Sequence, residues 1–84
     1  MTQQVAEMVY STSDIYFAAY LCATGMNLIN TQKDEKDSKK VIFVFKIPMN
    51  TIERIKAAYF GGSADVKAKK FVEQIKSLKE MIHA

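Results

Sequence analysis

Eighty-four residues, of which 49% are hydrophobic and 25% charged, describe one ordinary soluble domain, because so short a chain builds a single core. Both fractions lie near the globular average, which excludes a disordered acidic or basic tail as the whole of the protein. The net charge of +3 is of the size that keeps a small domain in solution.

Residues 5–10 predict a short third strand at one sheet edge. The first helix follows over about residues 12–23, where Ser11 with Asp14 three positions on forms a capping-box-like start. Its sequence, DIYFAAYLCA, is apolar almost all round: Ile15, Ala18, Ala19 and Cys22 line one stripe, and Phe17 and Leu21 broaden it. Such a helix is central to the fold or half covered by a partner. Gly25 then supplies a left-handed residue past the helix end.

Residues 26–31 and 40–47 read as two strands of an antiparallel hairpin, the second, KVIFVFKI, being rich in β-branched and aromatic side chains and closed by Pro48. Between them the segment 32–39 is too polar to bury and is expected to be a mobile, solvated loop. In the second strand Val41, Phe43, Phe45 and Ile47 share one face, and Lys40, Ile42, Val44 and Lys46 share the other. The second face is apolar at its centre, which predicts contact on both sides of the sheet or a surface that another molecule covers.

Asn50 with Glu53 predicts a second capped helix, with Ile52, Ile55 and Tyr59 at helical spacing, ending at Gly61 and Gly62. A third helix is predicted from near Asp65 to about residue 82, with Ala68, Phe71, Ile75, Leu78 and Ile82 three and four apart. The fold class is therefore α+β: one helix, a hairpin with a third short edge strand, then two helices, in a single domain over residues 1–84.

Compartment and chemistry follow from what the chain carries. A lone Cys22 inside an apolar run suits a reduced, cytoplasmic setting, and the first ten residues carry Glu7 and no cationic region of a signal peptide. The apolar stretch 15–29 is broken by Thr24, Gly25 and Asn27 and is too short for a membrane span. No catalytic residues are predicted: His83 is penultimate in the sequence, and Cys22 has only Leu21 and Ala23 beside it. Asp34, Glu35 and Asp37 alternate with lysines and lack the spacing of a calcium loop, so no metal is expected. Gly61 and Gly62 sit in no phosphate-binding pattern; no cofactor and no small-molecule substrate are evident.

Binding is the better expectation. Residues 1–32 carry a net charge of −2, residues 33–40 carry +1 and residues 41–84 carry +4, so any polyanion footprint belongs to the C-terminal half. There Arg54, Lys56, Lys67, Lys69 and Lys70 flank the glycine pair, with Phe60 just before it, as a candidate nucleic-acid contact. The segment KKVIFVF faintly echoes an RNA-recognition strand but lacks its glycines. Against this stands a candidate protein interface on the first helix, where Tyr16, Phe17 and Tyr20 belong to more apolar surface than a small interior hides.

The segments STSDIYFAAYLCATG, VIFVF, AYFGG and KAKKFVEQIKSLKEMI together resemble a small bacterial and phage domain family of unknown function. The resemblance covers about residues 10–83, and its first segment is the most specific. The longer lysine-rich hairpin loop and Pro48 depart from the family's pattern. The resemblance implies a bacterial or phage-like intracellular setting, and no activity. The sequence thus predicts a binding module that is not an enzyme, acting by self-association or by docking on a larger protein assembly, with nucleic-acid binding as the alternative.

Overall fold

Asp14 opens the first helix. Its carboxylate oxygen Oδ1 accepts the backbone N–H of Tyr16 at 2.9 Å and of Phe17 at 3.2 Å, satisfying two donors that the helix itself leaves free. The helix therefore runs Ile15–Ala23 and is labelled α1. This corrects the expected start near residue 12 with Ser11 as cap, because Ser11 and Thr12 belong to a strand, β1 (Glu7–Thr12). At the other end Gly25 takes φ +92°, the predicted left-handed residue. The computed structural model describes residues 6–37 and 39–83.

After α1 come β2 (Asn27–Lys33), β3 (Val41–Pro48), α2 (Ile52–Phe60) and α3 (Ala68–Ile82). The three strands form an antiparallel sheet in the order β1-β3-β2, so the predicted third strand exists and flanks the hairpin. Val5, its first expected residue, lies outside the described residues. The central position of β3 explains its sequence. Phe43, Phe45 and Ile47 enter the main core, while Val44 on the opposite face is only 8% exposed and stands outside that cluster.

Several boundaries move for identifiable reasons. The hairpin ladder continues through Gln32↔Ile42 and Lys33↔Val41, since backbone pairing tolerates polar side chains, and the connection shrinks to residues 34–40. Pro48 does not close β3 from outside but is its last residue, opposite Glu7 on β1. Asn50 is not a helix cap. It adopts φ +69° in a turn in which the Thr51 N–H donates to the Pro48 carbonyl at 3.3 Å, a conformation asparagine tolerates better than most residues. The third helix starts at Ala68 rather than near Asp65. The Ser63 and Ala64 N–H groups both reach back to the Ala58 carbonyl, at 3.0 and 2.9 Å, and Val66 packs on the core, which holds that linker off the helical path.

The core is organised around α1, which contributes six buried residues, against one each from α2 (Ile52) and α3 (Leu78). Ala18 and Ala19 are fully buried, and their small side chains let neighbouring elements approach the helix closely. Phe17, Leu21, Phe43, Phe45, Ile47 and Leu78 are the large side chains with almost no exposure. Because Leu78 is enclosed and Val72 on the same helix is exposed, Leu78→Ala is expected to cost about 3 kcal/mol of unfolding free energy and Val72→Ala less than about 0.5 kcal/mol. Urea denaturation of the two variants checks this.

Candidate functional site

The three aromatic residues expected to form a protein interface part company. Tyr16 projects outward and is 51% exposed, but Phe17 and Tyr20 are buried and cannot serve as a contact surface. Helical geometry gives the reason: α1 is covered on most of its circumference, and only one narrow face meets solvent. Phe17 is the hub of an aromatic cluster. Its ring centroid lies 6.0 Å from Tyr10, 6.4 Å from Tyr20, 5.0 Å from Tyr59 and 5.4 Å from Phe60. Tyr10 meets it edge-on at 81°, a favourable arrangement of two ring quadrupoles. Burial, and secondarily the Asp14 carboxylate, push the Tyr59 phenol up from its ordinary range.

Phe60 closes this cluster from outside. It packs on Phe17 and Tyr59, yet 64% of its surface stays exposed, so one face of its ring is open. Lys56 lies one turn earlier on α2, with its ammonium 5.7 Å from the centre of the Tyr10 ring. Arg54, Lys67, Lys69 and Lys70 are all exposed as well. They belong to α2, the start of α3 and the residue before it, with Glu53, Asp65 and Glu73 interspersed. None of these five cations, nor Phe60, lines the groove formed by residues 28–31 with Met81 or the groove between the starts of α1 and β3 and the end of α3.

A different apolar surface was not singled out in the sequence. Ile29 and Met81 are 47% and 48% exposed and meet in a groove of about 260 Å³ with Leu28, Asn30 and Thr31. A register irregularity between Leu28 and Asn30 gives Ile29 no partner on β3 and takes it out of the alternation that would have buried or shielded it. Met81 comes from the last turn of α3, on the flank of the stripe formed by Phe71, Ile75, Leu78 and Ile82. Two apolar neighbours in sequence, Leu28 and Ile29, were the only signal of a broken alternation. The spatial pairing with Met81 had none.

A family model described as Domain of unknown function (DUF5659) matches residues 7–84. The chain belongs to that family. A small family of unknown function, as the resemblance implied, is therefore what the chain belongs to. No curated protein and no solved structure matches the chain. Among the described residues, no group of three or more His, Cys, Asp or Glu is placed to hold a metal ion. No helix among them is long and apolar enough to cross a membrane.

The one thiol is held back chemically as well as sterically. Cys22 is half-buried, and its burial pushes the thiol up from its ordinary range, so less of the reactive thiolate forms at neutral pH. A disulfide reagent at neutral pH is accordingly expected to label Cys22 at least about tenfold more slowly in the folded protein than in urea. Equal rates in the two states would show a thiol free of this desolvation.

Proposed function

We propose that this domain is a non-catalytic binding module that acts through protein association, as a second copy of itself or a larger assembly docks on it. The observation that carries this reading is the convergence of Ile29 and Met81, both about half exposed, from separate elements at the β2 edge of the sheet. Among the described residues β2 has a strand partner on one side only, so its outer row of backbone donors and acceptors lies beside those apolar side chains. An apolar centre with polar backbone groups at its rim is the chemistry of a protein contact. Tyr16 adds an amphipathic ring to the exposed surface. The absence of catalysis is supported by the desolvated Cys22 and by the exposed position of the single histidine. A cytoplasmic setting accords with an unpaired thiol.

A second reading, a nucleic-acid accessory, is favoured by Phe60. Its open ring face is braced by Phe17 and Tyr59, with Lys56 one turn away, which is the make-up of a base-stacking platform. The interspersed acids and the spread of the five cations over α2 and α3 place this reading second.

Sedimentation over a micromolar to millimolar range separates them. Self-association is expected, weakened about tenfold by Ile29→Asp combined with Met81→Asp and less by Tyr16→Ala. A chain that stays monomeric throughout, and whose double variant captures the same proteins as the parent, contradicts the first reading. Oligonucleotide binding that falls steeply with salt and is lost in Phe60→Ala would put the second reading first.

A further inference from the structure

We propose that the groove between the start of α1, the start of β3 and the end of α3 is a binding site for a small amphipathic anion, an apolar chain bearing one carboxylate or phosphate group. The groove lies apart from the β2 edge and does not rest on the protein-association reading. Its volume is about 440 Å³, within the roughly 300–1,000 Å³ usual for small-molecule sites.

The lining divides by chemistry. Ile15, Val41, Phe43 and Ile82 supply an apolar wall; the first belongs to α1, the next two to β3 and the last to α3. All four belong to or pack against the main core, so this wall is fixed by the fold rather than by surface rotamers. Lys39, Lys40 and Lys79 line the rest of the groove, with Ser13 and His83 as further polar residues. Among the described residues one acid lines the groove, Asp37, and it is tied to the turn of the hairpin connection. Its Oδ1 accepts the Lys39 N–H at 3.1 Å, and its carbonyl accepts the Lys40 N–H at 2.9 Å. Among the described residues three lysines and one acid thus line the groove, an excess of positive charge beside a preformed apolar surface.

Two properties select the ligand class. An excess of cations beside a wall of low polarity strengthens the attraction for an anionic head, because the wall excludes part of the screening water. The same wall gives an attached alkyl or aryl group a place to shed its hydration, which a free inorganic anion cannot use. A neutral amphiphile would use the wall but not the lysines. The distinguishing signature is therefore that head and tail are both required.

Titration of the full chain, followed by backbone amide NMR, tests this with octanoate, octyl phosphate, inorganic phosphate and 1-octanol, each below its aggregation limit. Octanoate, octyl phosphate or both are expected to shift the amides of Lys40, Val41, Ile82 and His83 while leaving Asn50 and Thr51 unmoved. Which of the two binds more tightly identifies the head group as carboxylate or phosphate. The combined Lys40→Gln and Lys79→Gln variant changes only exposed side chains and should keep its fold while binding about tenfold more weakly. Octanol binding as tightly as the anions, inorganic phosphate matching octyl phosphate, an undiminished affinity in the double variant, or shifts centred elsewhere would each overturn the proposal.

Discussion

The burial of α1 is the constraint on which the rest of this structure depends. A nine-residue helix with no charged side chain has no polar face to offer solvent, so the remaining elements must surround it. The sheet lines one side through Phe43, Phe45 and Ile47, and α3 packs on another through the stripe that includes Leu78. Burying a side chain of the size of Phe17 or Leu21 is worth about 1.5–3 kcal/mol, while the small net stability of such a domain leaves little room to expose one. Asp14 fixes where the helix begins, and Gly25 where the chain leaves it.

This constraint also determines where binding chemistry can be. An apolar helix in a sequence invites the idea of an interface, yet here the interior consumes Phe17 and Tyr20 and leaves only Tyr16 outside. The surface is then left with what the core does not need. At the β2 edge a register break turns Ile29 outward beside Met81, and at the end of α2 Phe60 covers the aromatic cluster without being enclosed itself. Between the hairpin connection and the end of α3, lysines gather around an extension of the core wall. Only the last of these surfaces takes its apolar wall from residues of the core and those packed on it; the other two present side chains that the core leaves exposed.

How much of this was legible in the sequence differs by element. The α+β class, the hairpin, the flanking first strand and three helices followed from periodicity and from the β-branched run VIFVF, because local pattern and tertiary burial agree there. The boundaries at Ser11 and Asn50 differ where side-chain capping potential competes with backbone hydrogen bonding, and the one near Asp65 where apolar spacing does not mark a helix start. Ser11 went to the β ladder, Asn50 to a left-handed turn, and residues 63–67 to the carbonyl of Ala58 and the core. The candidate sites were less legible still. Their lining comes from segments more than forty residues apart, as Ile29 and Met81 are, and no local pattern encodes which surfaces the fold brings together.

The most direct test of the central claim is hydroxyl-radical footprinting of the native chain, read by mass spectrometry at Tyr16, Phe17 and Tyr20. These neighbours sit on one helix, and side-chain oxidation follows solvent access after correction for intrinsic reactivity. The account predicts rapid modification of Tyr16 and strong protection of Tyr20 and Phe17, in line with exposures of 51%, 7% and 1%. Oxidation of Phe17 or Tyr20 as readily as Tyr16 in the folded protein would contradict it, because α1 would then be a surface helix and the core would have to be built from something else.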